Sequence, residues 1–258
     1  MNDDAIAPVI AVMMILVVAV TLLSIWNAIY LPDLKQQAEM EHLKEVENSF
    51  VNIDENIRKM IIFQSNGELT ESVPLGGGDI MLNQAKSGGV LSIHQYEDPI
   101  VEIYHGSSIY QTFMIKNISY SPSSNFWVNQ GYEWKDGVIY AEKGKISVPR
   151  FYVVDTQAKE NWFYTVCQPG SDFILSNVTV ENPLSISGNG IAHIKMNGTL
   201  SKNTLSSGTI IIDTSTDLGK EIDATVSRFP SYFSGSSGVY NILETGTVRL
   251  YNLTISIQ

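Results

Sequence analysis

From Ala5 to Tyr30 the chain carries no charged side chain, and AIAPVIAVMMILVVAVTLLSIWNAIY is almost wholly apolar. As a helix rising about 1.5 Å per residue, this run covers the roughly 30 Å hydrocarbon core of a bilayer with length to spare. It is too long for the apolar stretch of a secretory signal, and MNDD puts no Lys or Arg ahead of it. It therefore reads as a retained membrane span. Pro8 falls in the first turns, where a missing N–H costs little. Pro32 stands where the run ends and should kink or briefly break the helix. Trp26 and Tyr30 read as interfacial anchors.

Beyond Pro32 the apolar pattern narrows to a stripe. Leu43, Val46, Phe50, Ile53, Ile57 and Met60 follow at steps of 3, 4, 3, 4 and 3, the rhythm of a helix burying one seam. Residues 33–63 contain no Gly and are rich in helix formers. Glu41 and Glu45 repel mildly one turn apart, and Glu55 and Lys59 can pair at i, i+4. The pattern predicts helix from about residue 5 to Phe63, ending before Ser65-Asn66-Gly67. Residues 1–64 are thus one helical unit, with a hydrophobic span over 5–30 and an amphipathic stalk over 33–63. Its seam is expected to pack on the C-terminal domain or on a partner helix.

Composition then changes sharply. Gly76-Gly77-Gly78 and Gly88-Gly89 mark residues 65–90 as a Gly-rich linker. Over 91–258 the pattern is β: VEIYH, YQTFMIKNISY, FYVVD, NWFYTV, FILSNVTV, SGTIIID, IDATVS and TVRLYNLTISI are β-branched or aromatic runs, several alternating. Lys135-Asp136-Gly137 is a hairpin signal. Gly188-Asn189-Gly190 and Asn197-Gly198 mark two further turns. No useful helical period appears after residue 70. The expected class is α+β, a long N-terminal helix followed by an all-β, antiparallel sandwich domain.

No catalytic constellation emerges. The net charge of −11 argues against nucleic acid. Cys167 is the single cysteine, so no internal disulfide framework exists, and it reads as a buried thiol. His94 and His105, with Glu97, Asp98 and Glu102 between them, match no standard metal-ligand spacing. Gly76-Gly77-Gly78-Asp79 lacks the Lys-Ser/Thr of a phosphate loop. Asp213, Asp217, Glu221 and Asp223 lack EF-hand spacing and read as a solvated acidic loop. Phe126, Trp127, Tyr132 and Trp134 either line a sugar-stacking surface or pack in the core, the commoner fate. No enzyme activity, cofactor or metal is expected.

Orientation draws on two opposed signals. Lys35 and Lys44 follow the span and none precedes it, which by charge bias alone would hold the C-terminal region inside. Long domains translocate largely regardless of charge. Four sequons, at Asn117, Asn177, Asn197 and Asn252, favour an outside location and are candidate N-glycosylation sites.

The start Asp4-Ala5-Ile6-Ala7-Pro8-Val9-Ile10-Ala11 resembles the N-terminal domain of archaeal type IV pilins, which typically begin Asp-Ala-Val-Ser-Pro-Val-Ile-Gly before an apolar helix. Ala7 replaces Ser and Ala11 replaces Gly. The stretch Leu31-Pro32-Asp33-Leu34-Lys35 through Phe50, with Val73-Pro74-Leu75-Gly76 after the helix, is similar to a subgroup of archaeal surface proteins. The resemblance covers about a quarter of the chain. It implies a precursor cut by a prepilin peptidase and drawn from the membrane by assembly machinery into a filament. Copies of the chain or other pilins would then meet through N-terminal helices, with β-domains outside. Asp3 and Asp4 would face a neighbour's N-terminal amine in that dry core, or else lie solvated at a membrane face. The function expected is a structural filament subunit with a role in adhesion, in the cell membrane before assembly and on the cell surface afterwards. The second reading is a monomeric, membrane-anchored surface protein whose β-domain is an adhesin or a glycan- or solute-binding module.

Overall fold

A computed structural model of the protein describes residues 6–77, 87–123, 129–135, 137–150, 166–167, 173–181, 185–243 and 247–258. It opens with one helical rod. α1 spans Ile6–Ile25, a π-helical turn occupies Trp26–Tyr30, and α2 runs Leu31–Phe63. The distortion expected near Pro32 lies in the turn before it. Pro32 sits at the start of α2 and has no N–H to return to the preceding turn, and the Leu31 N–H reaches back five residues to the Trp26 carbonyl. The rod widens locally and is not broken. It ends at Gln64, which takes a left-handed conformation (φ 49°). The Gln64 and Ser65 N–H groups donate to the Ile61 and Met60 carbonyls and close the last turn.

The rest is a two-sheet β-domain. One sheet has the order β1 (Gly67–Pro74), β10 (Ile191–Leu205), β14 (Val248–Ile257), β8 (Phe173–Val180), β7 (Val166–Cys167). The other runs β12 (Phe233–Ser236), β13 (Val239–Ile242), β11 (Gly208–Ile212), β2 (Gly89–His105), β3 (Ser108–Pro122), β4 (Gly131–Lys135), β5 (Val138–Lys143), β6 (Ile146–Pro149), with β9 (Ser185–Gly188) also on β2. The α+β class holds, and the sheets are antiparallel except where β14 and β8 pair in parallel. β4 and β5 form the expected hairpin, with Lys135 opposite Val138 and Gly137 at φ 76°.

The C-terminal half of α2 is the centre of this domain. Val46, Phe50, Ile53 and Ile57 are each 0% exposed. The helix packs on β1, β10 and β14 of one sheet and on β4 and β5 of the other. Phe50 meets the Tyr132 ring at 6.2 Å, and Tyr120, Tyr132 and Trp134 are buried side chains of the larger sheet. Each such apolar side chain contributes about 1.5–3 kcal/mol on burial. The seam of the stalk is therefore packed within the β-domain, one of the two partners expected for it.

Three further expectations are corrected. Residues 67–74, placed in a linker, form β1, paired with β10 from Gly67 opposite Gly198 to Pro74 opposite Ile191. The glycine punctuation begins only at Gly76, and 78–86 lie outside the described residues. A helix, α3, spans Asp217–Val226. Thr216 caps it by accepting from the Gly219 N–H, and Gly219, Ile222, Thr225 and Val226 make its buried face. Gly219 disguised the period. Asn197-Gly198, read as a turn, lies within β10. A Cβ at Gly198 would collide with the Tyr251 hydroxyl and the Ser65 carbonyl, so the glycine serves close packing and not chain reversal.

Candidate functional site

Every residue from Ile10 to Tyr30 is exposed around the whole circumference of the rod. Among the described residues this is the one helix long and apolar enough to cross a membrane. Its few polar side chains are turned inward on their own backbone. Thr21 Oγ1 donates to the Val18 carbonyl (2.8 Å), Ser24 Oγ to Val20 (2.8 Å) and Asn27 Nδ2 to Leu23 (3.1 Å). These bonds leave fewer polar groups unmet in an apolar medium. Trp26 and Tyr30 stack at 5.5 Å on the π turn, where the span ends. Pro8 is exposed on this surface, and Asp3 and Asp4 lie outside the described residues.

Below the turn the rod is moored to the β-domain by polar contacts at three heights. At the top, His42 is 3% exposed and its Nε2 lies 3.0 Å from the Tyr120 hydroxyl. Tyr120 donates to the Leu75 carbonyl (3.2 Å), so His42 donates from Nε2 and keeps Nδ1 as a bare acceptor with no hydrogen-bond partner. Gly77 backs directly on the imidazole, where a Cβ would stand 2.6 Å from the ring. Burial lowers the His42 pKa below 6.5 against the pull of Glu45 and Glu39.

In the middle, Ser49 Oγ lies 2.9 Å from the Ser72 carbonyl of β1, and Asn52 Nδ2 donates to Glu71 (2.9 Å). The helix thus supplies partners to an edge strand. On its other flank, Glu47 accepts from the Tyr132 hydroxyl (3.1 Å) and from Arg150 Nε (2.9 Å). Burial and the Glu47 carboxylate push the Tyr132 pKa up to about 12.

At the bottom, Asp54 accepts from Trp134 Nε1 (2.9 Å) and Arg58 Nε (2.7 Å), while Arg58 also donates to the Gly137 carbonyl (2.8 Å). Burial raises the Asp54 pKa despite Arg58. Tyr251 donates to the Ser65 carbonyl (2.8 Å) just past the helix end.

The residues assigned to the assembly helix therefore divide. Pro8 belongs to the exposed span and Pro32 to the start of the stem. Leu43, Val46, Phe50, Ile53 and Ile57 are buried within the chain and present no surface to a neighbouring copy. The sequons divide as well. Asn197 is exposed on β10. Asn252 is half-buried, and its Oδ1 has no partner. Asn117 is 8% and Asn177 is 1% exposed, which leaves no room for a glycan on either in the folded chain. Both sit in stretches of strand whose neighbouring residues are buried as well, so both faces are covered there. Two candidate clusters do not assemble: His94 is exposed and His105 bonds the Ser207 carbonyl, while Asp217 pairs with Lys220 and Asp223 accepts from Gly238 N and Tyr240; Gly78 and Asp79 lie outside the described residues. Among the described residues no group of three His, Cys, Asp or Glu side chains is placed to hold a metal. Tyr132 and Trp134 are core, and 126–127 lie outside the described residues. No signal in the sequence marked His42 as a joint, because its partner Tyr120 is seventy-eight positions away. No family model matches the chain, and no curated protein and no solved structure matches it.

Proposed function

We propose that the chain is a structural subunit of an archaeal type IV pilus-like surface filament, polymerising through its N-terminal helix. The observation that carries this reading is the division of one continuous rod. Its first half is apolar on every side and exposed, and its second half is fixed in the domain core. An apolar rod held rigidly by a folded domain suits two environments in succession. In lipid the helix satisfies its own backbone. In a filament the same surface is buried against other copies, with the β-domains outward. The pilin-like start of the chain supports this over a plain anchor, and it brings a prepilin peptidase and assembly machinery as partners. Adhesion is the role that outward β-domains serve.

A membrane-anchored surface-binding protein uses the same rod without neighbours. Electron microscopy of material sheared from cells, with mass spectrometry for this chain, separates the two. Filaments containing the chain are expected. A chain found wholly in washed membranes, with none in the sheared fraction, would overturn polymerisation and leave the anchor.

A further inference from the structure

The outer face of the larger sheet, opposite α2, carries Glu133, Lys135 and Tyr140 side by side. On it β4, β5 and β6 and the start of α3 enclose a cleft of about 480 Å³ lined by Glu133, Lys135, Tyr140, Ser147, Thr216 and Asp217, with Leu218 at the side. That volume falls in the range of small-ligand sites. At its edge lies an unfinished hydrogen-bond group. Asn117 of β3 is 8% exposed, its Nδ2 donates to Glu133 Oε1, and its Oδ1 has no partner. The bond to Glu133 fixes one lining carboxylate. The bare Oδ1 is an acceptor that folding alone leaves unmet. Asn117 is the direct cross-strand partner of Lys135. Lys135 Nζ stands 5.2 Å from the Tyr96 ring of β2, so this pair bridges the strand that carries Asn117.

The lining decides the class of ligand. An anion would meet Glu133 and Asp217, with Glu142 beside Glu133. A divalent cation would need more carboxylates than converge here, and it would meet Lys135. An apolar ligand would strip water from charged groups without replacing it. A polyhydroxyl ligand fits. Its hydroxyls both donate and accept, matching carboxylate acceptors, an ammonium donor and the Ser147, Thr216 and Tyr140 hydroxyls. The Tyr140 ring adds an apolar platform for its C–H face. We infer that this cleft binds a neutral saccharide, with Glu133 held by Asn117 as its principal acceptor. Displacing Lys135 from Tyr96 opens Asn117 Oδ1 to a ligand hydroxyl. The inference stands apart from polymerisation, since the cleft lies on the side of the sheet away from the rod.

The test uses the full chain in a zwitterionic detergent without a sugar headgroup. The probes are cellotriose, chitotriose and mannotriose, read by saturation-transfer NMR and titration. At least one is expected to bind at about 10 mM or below, and Glu133→Gln should weaken it about tenfold or more. Ser147→Trp, at an exposed edge-strand position, should block binding with the circular dichroism spectrum unchanged. Tyr110→Ala, remote from the cleft, should change nothing. The inference is overturned if none of the three sugars binds, if binding survives both cleft variants, or if only inorganic phosphate or calcium ion binds.

Discussion

His42 is a neutral imidazole enclosed between the rod and the β-domain, and acid works against it. Its folded pKa lies below 6.5, so in the window beneath 6.5 the unfolded chain binds more protons than the folded one. Stability is full above that value and is lost as pH falls through it towards the folded pKa. Asp54 acts in the opposite sense above 3.8, since burial raises its pKa and the folded state there holds the extra proton. The Glu39 and Glu45 charges on α2 face the imidazole, as do the Tyr120 hydroxyl and the Gly77 backbone. His42→Gln keeps a donor for Tyr120 and cannot titrate. Thermal melts between pH 7 and 5 should show a shallower fall in the variant than in wild type, and parallel curves would remove His42 from the acid response. Lys116 is a second buried base, 5% exposed, with Nζ on the Met114 carbonyl and burial lowering its pKa from 10.5 to about 8. The unfolded chain binds more protons between those values, so stability is full above 10.5 and the penalty is complete below 8. Lys116→Met should therefore stabilise the protein at pH 7, by of order 1–3 kcal/mol. A denaturation midpoint that moved down would show that the Met114 bond outweighs the charge.

At the scale of elements, α2 is the piece on which the domain closes. A chain beginning at residue 67 would expose the apolar faces that α2 covers, including Tyr132, Trp134 and Tyr251. It should be insoluble or molten, whereas a chain beginning at residue 33 should be soluble and give one cooperative melt. Far-UV and near-UV circular dichroism of the two fragments checks this, and a well-packed 67–258 fragment would show the helix to be dispensable. The helix itself was legible from its residues. An uncharged span, a 3-4 stripe and the Ser65-Asn66-Gly67 stop are local signals, and local signals survive without tertiary context. What the stripe packed against was not legible. Phe50 and Ile53 demand burial but do not name a partner, and the sheets that cover them come from residues 67 to 257. β1 was lost for a related reason: Glu68, Thr70 and Ser72 are polar, and only Leu69 and Val73 speak for a strand that a helix edge and β10 stabilise. The saccharide cleft had no local signature. Asn117, Glu133, Tyr140 and Thr216 meet only once three strands and a short helix are in place.

For the whole molecule, helix extends from Ile6 to Phe63, a rod of roughly 85–90 Å at 1.5 Å per residue. If copies assemble, Asp3 and Asp4 at its head enter an apolar core beside a neighbour's amine. Substituting both by Asn should abolish filaments while membrane insertion persists, because a buried ion left without its partner costs about 3–5 kcal/mol. The assay is filament yield in the sheared fraction against chain retained in membranes, and undiminished filaments would take the two acids out of assembly. The π turn at Trp26–Tyr30 bears on the same question through azimuth. Each residue of a regular α-helix advances the phase by about 100°, and the wider turn accommodates its residues with less rotation. It thereby sets the compass bearing at which the domain faces out from the rod. An alanine inserted ahead of Trp26, in regular α-helix, would swing that bearing by about 100° while leaving the mooring contacts below untouched. A solitary anchored molecule has no bearing to keep. A subunit in a helical lattice has one, and the turn is where it is dialled.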